Sequence, residues 1–147
     1  MKVYYSMQAR LVISCLFVLF VVTTRAQKKI NVDDSKLNVV VVGDIGVPES
    51  ESDVKKQVVR TIRLEHRTLP FTLGLNLGAN VYPRGSIKND FYTLQTIFTD
   101  YFPPHVFEFD FLTIPGPIDY EGDLQTQINY RDYQPRFYMP EKSYFYG

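Results

Sequence analysis

The sequence predicts an α/β fold in which parallel strands form a sheet and helices pack outside it. Three runs of strand length, rich in valine, leucine and phenylalanine, each end in a turn that contains glycine. Segments with helical spacing of apolar residues separate the runs, and this alternation is typical of βαβ units. Ligands of open α/β sheets bind outside the carboxyl ends of the strands, so any chemistry is expected in the three turns.

The first strand is predicted over residues 37–42, an almost unbroken apolar run that ends at Gly43. Continuous apolarity predicts a strand buried on both faces, in the middle of the sheet. A loop with Pro48 follows. Ser50 and Asp53 have the spacing of a weak capping box, which predicts that a helix begins there.

The first helix is predicted to end before Pro70. Apolar residues recur at helical spacing and predict its inner face: Val54, Val58, Val59 and Ile62. Basic residues fall between them and predict its solvent face: Lys55, Lys56, Arg60 and Arg63.

Two further strands and one helix are predicted downstream. The strands cover residues 71–77 and 106–114, and the helix covers residues 90–102, where Pro103 stops it. The apolar face of this helix is predicted to contain Phe91, Leu94, Ile97, Phe98 and Tyr101. Residues 144–147 have the composition of a strand that begins at the end of the sequence.

Residues 1–26 predict a secretory signal peptide. Lys2 and Arg10 precede the apolar run 11–22, and Ala26 offers a small residue for cleavage. Twelve residues fall short of the roughly 20 that span a bilayer. We expect a secreted protein or one in the lumen of the secretory pathway, with no transmembrane anchor after cleavage; an uncleaved anchor is the alternative. Residues 27–36 are predicted to be a polar arm and residues 37–147 one domain.

Charge and cysteine content exclude some classes of function. The chain has 16 basic and 16 acidic residues, and loss of the predicted signal removes three basic ones, Lys2, Arg10 and Arg25. The remainder is slightly acidic, so no nucleic-acid partner is expected. The single cysteine, Cys15, lies within the predicted signal, so the secreted form is expected to contain no disulfide.

The three turns carry the motifs that suggest a family. They read Gly-Asp-Ile-Gly at 43–46, Gly-Ala-Asn-Val-Tyr at 78–82 and Gly-Pro-Ile-Asp at 116–119. Their order and spacing resemble the metallophosphoesterase superfamily, specifically the tartrate-resistant, animal-type purple acid phosphatases. The resemblance implies the N-terminal part of the calcineurin-like four-layer α/β/β/α sandwich. It covers about half of that domain, so the domain is predicted to be truncated. The alternative is a generic α/β sheet with glycine turns.

The resemblance also implies what each motif position does in the family. Asp44 stands where the family has an iron ligand, and Tyr82 stands where it has the coloured tyrosinate ligand. Ala79 replaces the bridging aspartate, Pro117 replaces an asparagine ligand of the second metal, and Ile118 replaces a substrate-binding histidine. The family binds iron with iron or zinc. We therefore expect a vestigial metal site at Asp44 and Tyr82, no bound cofactor and no catalytic residue.

Three further polar residues are predicted to have structural roles. His66, near the end of the first helix, is expected to be solvated or to interact with the helix dipole. His105 follows Pro104 and is expected to lead into a strand. Asp119 is expected to cap the segment that begins at Leu124.

The sequence therefore predicts a secreted, purple-acid-phosphatase-like binding or scaffold protein without activity. Similar loss of motifs occurs in the glideosome-associated purple-acid-phosphatase-like proteins of apicomplexan parasites, where the fold is a scaffold. Half of a sandwich leaves an apolar sheet face uncovered, so a protein partner is expected to cover it. The rival hypotheses are a metal-dependent acid phosphatase with substituted ligands or an incomplete sequence, and a product that does not fold.

Overall fold

A computed structural model describes residues 28–30, 36–48 and 51–147. The predicted signal peptide lies outside the described residues, as does most of the predicted arm. The chain divides into two units, and the fold described below belongs to the unit of residues 30–145. In the other unit, residues 1–29 with 146–147, the Gly147 amide lies 3.5 Å from the Lys28 carbonyl oxygen.

Four parallel strands form one sheet, which confirms the predicted α/β class. The strands are β1 (Val39–Val42), β2 (Leu73–Asn76), β3 (Phe111–Thr113) and β4 (Phe137–Tyr138). They lie in the sheet in the order in which they occur in the chain. The prediction that β1 lies in the middle of the sheet is wrong. Among the strands of the described residues it lies at an edge of the sheet, and Val41 is 55% exposed.

The helix after β1, α1 (Asp53–Thr68), ends where the sequence predicts. Its N-cap is Ser52, whose hydroxyl accepts from the Lys55 amide at 3.1 Å. The predicted cap Ser50 lies outside the described residues. At the other end the Leu69 amide donates to the Glu65 carbonyl at 2.8 Å, and Pro70 follows.

The predicted inner face of α1 is confirmed at Val59 and Ile62 and wrong at Val54 and Val58. Val54 is 74% exposed and Val58 is also exposed, whereas Lys55 and Val59 are buried. Periodicity favoured the valines because a lysine is expected outside. The Lys55 ammonium has carbonyl acceptors in the interior, so the helix turns its basic side chain inward.

The second helical segment buries the face that the sequence predicts. It begins as α2 (Phe91–Leu94), capped by Asp90, and continues as a π-helical turn over Gln95–Thr99. Phe91 is half-buried. Four further apolar side chains of the segment are fully buried: Leu94, Ile97, Phe98 and Tyr101. The π-helical turn ends at Thr99, and the amides of Tyr101 and Phe102 still donate to the Phe98 carbonyl before Pro103 ends the segment.

The third predicted strand is much shorter in the structure. The amides of Val106 and Phe107 both donate to the Pro103 carbonyl at 3.0 Å, which makes this segment a turn. His105, predicted to lead into a strand, is exposed within it. Residues 144–147 also form no strand. The Tyr144 hydroxyl instead shares its proton between the carbonyls of Thr113 and Tyr138, at 2.9 and 2.8 Å.

His66 is not a solvated helix end. Its Nδ1 accepts from the Phe71 amide at 2.9 Å. The ring is half-buried among Phe71, Phe107 and Phe109, with centroid distances of 5.3–5.7 Å. This histidine joins the end of α1 to the segment before β3.

The core lies between one face of the sheet and the helices, which include α3 (Leu124–Tyr130). Phe98 packs edge-on against Phe111 and Phe137, with centroids 5.2 and 5.1 Å away. Three apolar side chains in or directly after the strands are exposed: Val41, Leu77 and Ile114. Among the described residues, no helix combines the length and apolarity needed to cross a membrane.

Candidate functional site

The loops that follow β1 and β2 meet at one end of the sheet, because parallel strands bring their carboxyl ends to the same edge. The Asp44 amide donates to the Gly78 carbonyl at 2.9 Å, and the Tyr82 amide donates to the Gly46 carbonyl at 3.0 Å. At Gly46 a Cβ would stand 2.8 Å from the Ala79 oxygen, so only glycine fits. The first and second predicted motifs are therefore in direct contact.

The second and third loops pack backbone against backbone. A Cβ on Gly78 would stand 2.4 Å from the Gly116 amide nitrogen, and a Cβ on Gly116 would stand 2.6 Å from the Ala79 nitrogen. Gly78 also has a φ of 96°, a conformation in which a side chain is strained. Glycine at positions 78 and 116 thus allows the backbones of the second and third loops to come into contact, which a side chain at either position would prevent.

Asp44 and Tyr82 lie together, and we call this pair the Asp44–Tyr82 corner. The Tyr82 hydroxyl donates a hydrogen bond to Asp44 Oδ1, and both residues are exposed. That bond, then desolvation and the charges of Asp44 and Asp119, raise the pKa of the Tyr82 phenol above its ordinary value. The phenol is therefore neutral at neutral pH, and the corner presents a carboxylate bonded to a phenol.

Three positions where the resemblance places further metal or substrate groups carry apolar side chains. Ala79 offers a methyl group on a backbone with a φ of 55°. Pro117 begins a short 3₁₀ helix, Pro117–Glu121, and is exposed, while Ile118 is half-buried. None of these side chains has an atom that ligates a metal.

Asp119 does not cap α3 as predicted. That cap is Asp123, whose Oδ2 accepts from the Thr126 amide at 3.1 Å. Asp119 is fully buried and accepts from the Gly116 amide at 2.8 Å and from the Asn80 amide at 2.9 Å. The Asp119 carboxylate thereby joins the third loop to the second.

Asp119 belongs to a buried network of polar side chains. Gln127 Nε2 donates to Asp119 Oδ1 at 2.9 Å, and Gln127 Oε1 accepts from Asn80 Nδ2 at 3.0 Å. Asn76 Nδ2 then donates to Asn80 Oδ1 at 2.6 Å. We call this set the Asp119 network: Asn76, Asn80, Asp119 and Gln127. It holds the ends of β2 and β3 and the helix α3 in one arrangement.

Lys55 of α1 binds backbone carbonyls of the first loop. Its Nζ donates to the carbonyls of Ile45 and Val47, both at 2.6 Å, and to that of Ile97 at 2.9 Å. The ammonium also lies 3.8 Å from the centroid of the Tyr101 ring. The first loop is therefore tied to α1 and to the second helical segment.

Sequence reasoning missed Lys55 and Asn80 as organisers of the loops. Lys55 sat among basic residues at positions expected to be solvated, and no pattern distinguished it. The sequence did distinguish Asn80. It lies in the glycine turn after β2 and is the single polar residue between Leu77 and Val81. An asparagine enclosed by apolar residues requires hydrogen-bond partners in the interior.

A groove of about 640 Å³ opens beside the corner. Its wall includes Val41 at the sheet edge, Val54 and Val58 of α1, and the corner residues Asp44 and Tyr82. The groove is thus largely apolar, and the Asp44 carboxylate and the Lys55 ammonium are among its polar lining groups.

These residues do not fit an iron–iron or iron–zinc group. A two-metal centre needs several ligands for each of two cations about 3.5–4 Å apart, and the corner offers one carboxylate and one phenol. Within the described ranges, no three side chains of His, Cys, Asp or Glu are grouped so that they could hold a metal ion.

No protein-family model matches the chain, and no curated protein matches it. The resemblance of the three turns to the purple acid phosphatases therefore stays a prediction from the sequence.

Proposed function

We propose that the chain is a secreted, purple-acid-phosphatase-like binding or scaffold protein that does not hydrolyse phosphate esters. In this proposal its sheet is the N-terminal part of a metallophosphoesterase-type sandwich. Two features support the ancestry: the motif remnants follow β1, β2 and β3 in family order, and the three loops meet at the carboxyl end of a parallel sheet.

The proposed loss of activity rests on what the carboxylates of Asp119 and Asp44 are bonded to. Asp119 is fully buried, and its oxygens accept from backbone amides and from Gln127. Ala79 and Pro117 supply no ligand where the resemblance places two. Asp44 is left with the Tyr82 phenol, and hard cations depend on a larger number of oxygen ligands.

One observation favours the alternative, an acid phosphatase with substituted ligands. The two residues that match family iron ligands, Asp44 and Tyr82, lie in contact at an exposed corner. A phosphate ester could reach them from solvent.

Hydrolysis of a phosphomonoester such as p-nitrophenyl phosphate, measured at acidic pH with added iron and zinc, tests the proposal. We expect no turnover above the metal-only background, with the wild type and Asp44→Ala indistinguishable. Metal content and visible absorbance are measured on the same sample, and thermal unfolding shows that it is folded. Turnover that Asp44→Ala abolishes would establish the phosphatase and refute the proposal.

The exposed side chains on the sheet face support a protein partner. Val41 in β1 and Leu77 directly after β2 are each 55% exposed, and Ile114 directly after β3 is 45% exposed. Apolar groups exposed next to one another on a sheet are typical of an interaction surface. In this proposal the binding function uses that face, while the former site serves no reaction.

A further inference from the structure

We infer that α1 binds a linear sulfated polysaccharide through a row of basic side chains. We call this row the α1 basic stripe, and it has four members: Lys56, Arg60, Arg63 and Arg67. The inference adds a ligand to the proposed binding protein, on a surface other than the sheet. The choice of a polysaccharide among the polyanions rests on the proposed secretion.

The α1 basic stripe is a single row along the helix. Its members follow one another at spacings of four, three and four residues, which places them within about 60° of one another around the helix. At a rise of about 1.5 Å per residue the row extends for about 16 Å. Lys56, Arg60 and Arg67 are exposed, and Arg63 is half-buried. Cations in a row match anionic groups that repeat along a chain, whereas a single compact anion requires cations that converge on one point.

The like charges of the stripe repel one another in the isolated chain. Each member stands three or four residues from the next, where like charges destabilise a helix. In the part of the chain that the structure describes, Lys56 is paired with Asp53 at 3.0 Å, and Arg60 and Arg67 are in no ion pair. Glu65, the other acidic residue of α1, lies about 140° or more from every member of the stripe. A bound polyanion removes this repulsion by neutralising the row.

Positive charge is concentrated in α1 in a chain that has no excess of it. The helix contains five basic and two acidic residues, whereas the whole chain contains 16 of each. Lys55 is buried and its ammonium is bonded to backbone carbonyls, so the excess at the surface of α1 belongs to the stripe. A local positive surface of this kind attracts polyanions to one place on the molecule.

Arginine supplies three of the four cations and suits sulfate groups. The planar guanidinium donates two parallel N–H bonds to the oxygens of one anion, which the lysine ammonium does not. One of these guanidinium groups is already held in place, because Arg63 Nη2 donates to the Tyr101 carbonyl at 2.9 Å. That side chain therefore loses less conformational freedom when a ligand binds.

Membranes and nucleic acids match the stripe less well. A helix that binds a membrane buries a broad apolar face in it, but the exposed Val54 and Val58 lie about 120° or more from the stripe, and Leu64 alone is an exposed apolar residue of α1 beside it. Single-stranded nucleic acids bind where aromatic rings accompany the cations, and α1 contains no Phe, Tyr or Trp. Basic clusters of secreted proteins instead bind heparin-like chains.

Retention of the full chain on immobilised heparin, eluted with a salt gradient, tests this inference. We expect Arg60→Gln/Arg67→Gln to elute at lower salt and to bind heparin about tenfold more weakly than the wild type. The slope of log affinity against log salt is expected to fall by about two, one for each lost contact. The matched control, Arg84→Gln/Lys88→Gln, removes the same charge from exposed positions after β2 and is expected to change the affinity less than about twofold.

Thermal unfolding of both double variants shows that they are folded, and loss of like charges is expected to leave the α1 variant at least as stable as the wild type. Competition with desulfated heparin, duplex DNA and phosphatidylserine vesicles identifies the ligand class without any variant. No retention at physiological salt, equal losses for the two double variants, or tighter binding to DNA or vesicles than to heparin would overturn the inference. A chain that binds heparin through the stripe and also hydrolyses phosphate esters would refute the proposed function and leave this inference standing.

Discussion

The Asp44–Tyr82 corner and the Asp119 network lie at the same end of the sheet and use their carboxylates in opposite ways. The Asp44 carboxylate is exposed and is bonded to a phenol. The Asp119 carboxylate is fully buried and bonded to backbone amides of two loops and to Gln127. The difference shows how a carboxylate in a sequence motif can remain available to a ligand or can become part of the framework. Burial and the number of internal donors decide between the two roles.

The largest effect is expected for Asp119→Ala. The change leaves the amides of Gly116, Asn80 and Val81 and the Gln127 side chain without their acceptor in the interior. We expect the free energy of unfolding to fall by about 4 kcal/mol. Urea denaturation followed by circular dichroism measures it. A loss below about 1 kcal/mol would contradict the framework role of the Asp119 network.

Lys55→Met is expected to have the next largest effect. Methionine keeps the apolar stem but leaves the carbonyls of Ile45, Val47 and Ile97 without the ammonium. We expect a loss of about 2 kcal/mol in the free energy of unfolding. Lys56→Met is the matched control, because Lys56 is exposed and bonded only to exposed Asp53 in the described structure. Its effect is expected to stay within about 0.5 kcal/mol. Equal losses for the two variants would show that Lys55 does not anchor the first loop.

Asp44→Ala is expected to change stability little. Asp44 is exposed, and its side chain accepts from the exposed Tyr82 hydroxyl. The same urea experiment is expected to give a change within about 1 kcal/mol, against about 4 kcal/mol for Asp119→Ala. The comparison of the two regions fails if Asp44→Ala is as destabilising as Asp119→Ala.

The smallest effect is a shift in the titration of Tyr82. The hydrogen bond to Asp44 raises the pKa of this phenol in the folded state. The resulting stabilisation is complete below the ordinary tyrosine pKa and is lost as the pH rises through the raised value. Absorbance at the tyrosinate wavelength, as the difference between wild type and Tyr82→Phe, isolates Tyr82. We expect Asp44→Asn to lower the pKa. An unchanged difference titration would show that the bond is absent in solution.

Much of the fold could be predicted from local patterns. The end of α1 before Pro70 and the buried face of residues 94–101 follow from proline geometry and helical spacing. The rotation of α1 could not be predicted, because Lys55 is buried by carbonyls that are distant in the sequence, such as that of Ile97. The shortened third strand has the same kind of cause. Proline geometry set a turn, and the apolar residues after it pack around His66 instead of extending the sheet.

The candidate site also has a part that the sequence predicted and a part that it did not. The sequence placed Asp44 and Tyr82 after two strands, and parallel topology was enough to bring them to one edge. It did not indicate the role of Asp119, since a carboxylate beside a glycine turn has the same local pattern whether it caps a helix or binds amides from another loop.

The sequence by itself determined the class of the sheet, the places where strands give way to glycine turns and the residues that those turns present. Each depends on the preferences of neighbouring residues for strand, turn or helix. The tertiary structure decided which carboxylate is buried, which side of α1 faces inward and that β1 is an edge strand. These outcomes depend on donors, acceptors and strands that only the folded chain brings together, because the free energy of a buried polar group is set by its partners and not by its neighbours in sequence.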